Sequence, residues 1–206
     1  MKIITLLSQK GGVGKTMTAV SLAIAAELDG KDTVIFDLDP QGTALKWRDR
    51  RQNESPAVIA AQHSRLLETI SVIKKQGGMV LFIDTAPHSE SAALAAARAA
   101  DFVLIPCRPD IFDLEAIVTS IDTAQLAKKP YAVLLNAVPS RTHDLEHARE
   151  ALASIEAITC PISITARRAF PRATMTGLTA QEYEPKGKAA NETAELYQWL
   201  KERISL

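Results

Sequence analysis

The sequence predicts a doubly wound α/β domain, with a mostly parallel sheet and helices on both faces, and three observations carry that reading. Apolar runs of strand length recur along the chain, helix-like segments separate them, and a glycine-rich turn joins the first run to the first helix. Residues 3–7, 33–36, 79–83, 102–106 and 131–135 are the apolar runs. Continuous apolarity of that length suits strands buried on both faces of a parallel sheet. Between them, residues 16–28, 63–75, 89–99 and 111–127 carry helical spacing and many alanines. This alternation is the pattern of βαβ units. Residues 58–61 and 158–164 are weaker strand candidates. Residues 166–187 are the least regular, mixing arginines, prolines and threonines. Helical spacing returns over 188–204, where Leu196, Leu200 and Ile204 share a face. No linker, repeat or low-complexity stretch divides the chain, so residues 1–206 read as one domain.

Composition narrows the classes. Of 206 residues, 47% are hydrophobic and 23% charged, with a formal net charge of zero. That supports one full core, and confines any nucleic-acid binding to a local patch. Cys107 and Cys160 lack CxxC spacing and read as buried, reduced thiols of a cytosolic protein. No run approaches the length of a membrane span, and the apolar N-terminus is too short for the core of a signal peptide.

The chemistry concentrates in Gln9-Lys10-Gly11-Gly12-Val13-Gly14-Lys15-Thr16. It is a P-loop pattern whose usual leading glycine is Gln9 and which carries a second lysine, Lys10. A preceding strand and a following helix give such a motif its meaning. Gly11, Gly12, Val13 and Gly14 allow backbone N–H groups to converge on phosphate oxygens. The helix start contributes its positive dipole. Lys15 would neutralise the β- and γ-phosphates of ATP, and the Thr16 hydroxyl is a hard ligand for Mg²⁺. Two apolar runs end in aspartate, as Asp37-Leu38-Asp39-Pro40 and Asp84-Thr85. In a parallel sheet such ends line the ligand crevice. Asp39 and Asp84 are therefore candidates for holding the metal or orienting an attacking water.

Lys10–Thr16 resembles the deviant Walker A motif of the ParA/MinD family. Asp37-Leu38-Asp39-Pro40-Gln41-Gly42 is similar to its Walker A′ motif, and Asp84-Thr85-Ala86-Pro87 to its Walker B end. Residues 167–177 and 183–190 are similar to its C-terminal segments, so the resemblance spans nearly the whole chain. Met17 departs from it, since a second threonine is common there. The resemblance implies an ATP- and Mg²⁺-dependent ATPase that dimerises with ATP. In it, Lys10 reaches the partner's phosphates, Asp39 activates water, Asp84 holds magnesium through water, Asn136 reads adenine and Pro185 flanks the base. ATP carries about four negative charges, so two facing sites would repel each other without a crossing cation.

The resemblance further implies a cytoplasmic, nucleoid-associated DNA-segregation ATPase. Its dimer would bind nonspecific DNA through Arg167, Arg168, Arg172, Lys186 and Lys188. A solvated basic face is the plain alternative for those residues. The chain reaches its first strand at once, so the expectation is that a separate, small centromere-binding protein reads sequence and stimulates hydrolysis. A close rival positions a protein cluster or organelle with the same switch. A membrane switch of the MinD kind would need an amphipathic C-terminal helix. The apolar residues of 197–206 are explained by docking on the sheet, so no stable membrane insertion is expected. An iron–sulfur reductase would need its two cysteines in glycine-flanked contexts, which Cys107 and Cys160 lack.

Overall fold

Strands that are apolar on both sides must lie between two helical layers. The computed structural model describes residues 1–75, 80–140 and 143–206. Its strands are β1 Lys2–Leu6, β2 Thr33–Asp37, β3 Ala57–Ala60, β4 Val80–Asp84, β5 Phe102–Cys107 and β6 Tyr131–Leu135. Every residue of β2, β4, β5 and β6 is buried. All five ladders are parallel and the strand order is β3-β2-β4-β1-β5-β6. Met79, the expected start of the fourth strand, lies outside the described residues.

The helices α1 Lys15–Leu28 and α9 Lys188–Ile204 cover one face, where Ile4, Leu6, Ile35, Phe82 and Leu104 pack against Leu22, Ala26, Leu196 and Leu200. On the other face lie α4 Glu90–Ala99, α5 Ile111–Leu126 and α6 Asp144–Ser154, packed on Leu7, Val103, Ile105 and Val133. The helix α3 Leu66–Lys75 extends that second layer over Phe36, Leu81 and Ile83. Successive residues of β4 alternate between layers, as the period-two geometry of a strand requires.

Three departures from the sequence reading have local causes. The segment expected as helix over 63–75 begins with a 3₁₀ turn at His63–Arg65. Residues 158–164 form no named strand but run beside β6, with bridges Val133↔Thr159 and Val138↔Thr165. The Cys160 N–H donates to the Val133 carbonyl, but the next donor to β6 is Ile164, to the Leu135 carbonyl, so two extra residues around Pro161 break the register there. Four helices lie outside the segments read as helical: α6 Asp144–Ser154 and the short α2 Thr43–Asp49, α7 Ala169–Met175 and α8 Ala180–Tyr183.

These short helices are bound to one another. The indole of Trp47 donates to the Leu178 carbonyl at 3.2 Å. Arg51 donates to the Gly177 carbonyl at 2.7 Å and forms two bonds with Glu182, of 3.0 and 2.8 Å. Its guanidinium lies 4.6 Å from the centroid of the Trp47 ring. Gly177 has φ +71, and a Cβ there would stand 2.5 Å from the backbone of Arg50 and Arg51. Only glycine allows α7 and α8 to approach the end of α2 so closely.

Because the sheet is parallel, the C-terminal ends of its strands share one edge. Register places Leu6 and Asp37 on either side of Asp84. The turns that follow β1, β2 and β4 therefore meet.

Candidate nucleotide-binding site

The turn after β1 reaches α1 through Gly12 at φ +75 and Gly14 at φ +95. Gly14 is the residue capping α1, and a Cβ on it would lie 2.2 Å from Asn136 Nδ2. Asn136 donates from that nitrogen to the Val13 carbonyl at 2.7 Å and from its backbone N–H to the Cys107 carbonyl at 2.7 Å. The loop is thus braced from the end of β6. No side chain caps α1, and its first turn holds no acidic residue. Its leading N–H groups are left to an anion.

Lys15 is 7% exposed. Its ammonium donates to the carbonyls of Ser8 at 3.0 Å and Lys10 at 2.9 Å. Burial pushes its pKa below the usual lysine value, against the opposing pull of Asp84 and Asp39. A cation held at that cost is set for phosphate.

Thr16 donates its hydroxyl to Asp84 Oδ2 at 2.6 Å. Asp84 is 1% exposed, and its Oδ1 has no hydrogen-bond partner among the described residues. Burial raises its pKa to about 7, against the hydrogen bond from Thr16. An orphaned buried carboxylate oxygen beside a hydroxyl fits a hard divalent cation. Among the described residues no group of three or more His, Cys, Asp and Glu gathers as a metal cage. Magnesium at phosphate sites needs none, since one or two protein oxygens, water and the phosphates complete its shell. Thr16 and Asp84 would hold Mg²⁺ here, and the metal would supply charge neutralisation at the phosphates.

The two aspartates at the end of β2, Asp37 within it and Asp39 just beyond, have different surroundings. Asp37, 2% exposed, accepts from the backbone of Asp39 at 3.1 Å, Ala44 at 2.9 Å and Leu45 at 3.2 Å. It caps α2 and is structural. Asp39 is half-buried and accepts from the Gln41 backbone at 2.9 Å. Its charge acts on both Lys15 and Asp84.

Lys10 lies elsewhere. It forms an ion pair with Asp113 in the first turn of α5, which keeps its pKa raised through that hydrogen bond. The Gln9 N–H donates to Ser120 Oγ, also on α5, at 3.1 Å. The front of the loop is therefore laid along α5. Sequence reasoning passed over Asp113 and Ser120, since nothing in the local pattern marks either residue.

A cavity of about 440 Å³ opens beside the loop, lined by Gly12, Val13, Gly14, Met17, Asn136 and Arg108, and by the segment from Ile164 to Pro171. Gly11, at the front of the loop, is exposed. Pro185 does not line this cavity; it sits in a separate depression with Glu184, Lys186 and Gly187. The basic residues also differ. Arg167 and Arg168 both line the cavity, but Arg167 is half-buried and paired to Glu192 at 2.6 Å, whereas Arg168, like Arg172, Lys186 and Lys188 away from the cavity, is exposed. Cys107 and Cys160 are buried free thiols, pushed up by burial to about 12 and about 11. Among the described residues no helix is long and apolar enough to cross a membrane.

A family profile described as the CobQ/CobB/MinD/ParA nucleotide binding domain matches residues 4–180. The chain belongs to that family. It is 34% identical over 210 residues to the maintenance of carboxysome distribution protein A of Gloeobacter kilaueensis, covering 98% of this chain and 94% of that one. It is 28% identical over 189 residues to the sporulation initiation inhibitor protein Soj of Bacillus subtilis, covering 69% and 75% respectively. Among solved structures, the septum site-determining protein MinD of Pyrococcus horikoshii, complexed with Mg-ADP, superposes with a TM-score of 0.77 at 18% identity, over 97% and 95% of the two chains. The doubly wound fold is thus the family's fold, and ATP with Mg²⁺ suits both the family and the donors at Lys15, Thr16 and Asp84.

Proposed function

We propose that this chain is an ATP-gated positioning switch, whose ATP-bound dimer holds nonspecific DNA and whose hydrolysis releases it. The observation that carries the reading is the pair of lysines on one loop. Lys15 is buried for phosphate, while Lys10 is held on the chain's own α5 by Asp113. In the proposed cycle ATP fills the loop, and Lys10 leaves Asp113 for the partner's phosphates. Asp39 then orients the water that ends the state. Each half is incomplete without the other, so dimerisation follows the nucleotide.

DNA would be met by the exposed cations Arg168, Arg172, Lys186 and Lys188. Contacts of this kind read the phosphate backbone and weaken steeply with salt. A centromere-binding or adaptor protein would select the cargo. Partition of DNA has support from the chromosome partitioning protein ParA of Caulobacter vibrioides, 25% identical over 167 residues. Positioning of a protein body has at least equal support, from the carboxysome-distribution relative that matches nearly the full length of both chains. The cycle is the same in either case.

The test is DNA affinity against salt with ATP, with ADP and without nucleotide. Wild type should bind only with ATP. Each of the pairs Arg168→Ala/Arg172→Ala and Lys186→Ala/Lys188→Ala removes two cations from each protomer and should lower the slope of log affinity against log salt by about 4 for the dimer. Binding that ignores the nucleotide would count against the switch, and unchanged slopes would remove these four residues from the DNA surface.

A further inference from the structure

One wall of the cavity is held in place from α9. Thr165 and Arg167 line the cavity but belong to no strand or helix. A single carboxylate on α9 fixes both. Glu192 Oε2 accepts from the Thr165 N–H at 3.1 Å. Its Oε1 accepts from the Thr165 hydroxyl at 2.9 Å and from Arg167 Nε at 3.1 Å and Nη2 at 2.6 Å. The two charged side chains are 27% and 18% exposed. Partial burial alone would raise the Glu192 carboxyl, but the bonds from Arg167 and Thr165 outweigh it and hold the group below the usual carboxylate range.

Two consequences follow. An arginine neutralised by its own carboxylate has little charge left to release counterions from DNA, so it is a poor phosphate-backbone contact. A guanidinium pinned through one edge keeps its flat face, and such a face stacks on aromatic rings with little entropy left to lose. A planar base entering the cavity from the P-loop side would meet it there.

We propose that Glu192 is a positioning residue that sets Arg167 as the wall against which the base of the nucleotide lies, so that Arg167 serves the nucleotide and not DNA. This rests on the reading of the cavity as the base end of the ATP site. It separates Arg167 from the exposed arginines with which the sequence grouped it.

The experiment measures ADP affinity by titration calorimetry for wild type, Arg167→Ala, Arg167→Lys, Glu192→Ala and the double alanine variant. ADP is used because it probes the site apart from dimerisation. Tripolyphosphate, which engages the P-loop but has no base, is titrated in parallel. Each single variant should weaken ADP by about 10-fold, and the double variant should be no worse than either alone, as for residues acting as a unit. Arg167→Lys keeps the charge and loses the plane, so it should fail as alanine does. Tripolyphosphate affinity should not move. At saturating ATP, Arg167→Ala should still bind DNA.

Unchanged ADP affinity in all variants overturns the proposal. So does an equal loss for ADP and tripolyphosphate, which would make the cluster merely structural. Loss of DNA binding by Arg167→Ala with ADP affinity intact would return the residue to the DNA surface. If Glu192→Ala does not fold, Arg167→Lys carries the test, because it retains a cation beside Glu192. A wild type that binds tripolyphosphate but not ADP overturns the base reading of the cavity, and one that binds neither overturns the nucleotide reading itself.

Discussion

Lys15→Met should lose nucleotide affinity on the order of 100-fold or more while the free protein melts no lower than wild type. The first half follows from charge. A buried ammonium facing phosphate is one partner of a desolvated ion pair, and removing one such partner costs about 2–5 kcal/mol. The second half follows from the empty site. In the free protein Lys15 is 7% exposed, and burial pushes its pKa down, so its charge is carried there at a cost in stability. Two backbone carbonyls, of Ser8 and Lys10, return part of that cost. Methionine keeps the unbranched length and removes the charge. Melting curves with and without Mg-ATP read both halves at once: wild type should gain stability from the ligand by mass action and the variant should not. A variant that keeps the ligand-induced shift would remove Lys15 from the phosphate site. One that melts far below wild type would make Lys15 a structural lysine.

Asp39→Ala should keep ATP but slow its hydrolysis by about 100-fold or more, the range for loss of a positioned general base or water-orienting group. Affinity should hold because, among the described residues, the Asp39 side chain hydrogen-bonds only the Gln41 backbone; it reaches Lys15 and Asp84 through space and leaves the Thr16–Asp84 hydrogen bond in place. Asp37→Ala should behave differently. It strips three backbone donors of their acceptor and uncaps α2, so its loss should appear in the melting temperature as well. Single-turnover hydrolysis with preloaded ATP separates chemistry from binding. Full activity in Asp39→Ala would assign water activation elsewhere.

What the sequence disclosed was what short-range pattern can encode. The four strands buried throughout stood out as apolar runs because both faces of a parallel sheet are covered. Gly12 and Gly14 announced the loop because only glycine tolerates its left-handed turns at that spacing. The edge strand β3, exposed at Ala57 and Ala60, gave a weaker signal for the same reason.

What stayed hidden depended on distance or on very short elements. Asp37 and Asp39 look alike at the end of one run, and only the folded α2 shows which of them it takes as a cap. The helices α7 and α8, of seven and four residues, are too short to display a repeating face. Pro171, tolerated in the first turn of a helix, made α7 read as loop. The contacts Lys10–Asp113 and Arg167–Glu192 join separate elements and leave no local trace. That is why Arg167 was grouped with its exposed neighbours, and why the resting place of Lys10 was not foreseen. Asn136 and Pro185, assigned to the base by resemblance, part company in the fold: one braces the P-loop at the cavity, the other lies outside it.

Lys10 is where sequence and structure together make the strongest demand. The free chain satisfies it internally through Asp113, and the proposed cycle requires a partner's phosphates to replace that carboxylate. Mass by size exclusion with light scattering, for wild type and Lys10→Ala in ATP, in ADP and without nucleotide, tests this most directly. Wild type should be a dimer in ATP alone, and Lys10→Ala should be a monomer under all three conditions despite retained ATP binding. A single mass for wild type whatever the nucleotide, or a normal ATP-dependent dimer of Lys10→Ala, would contradict it.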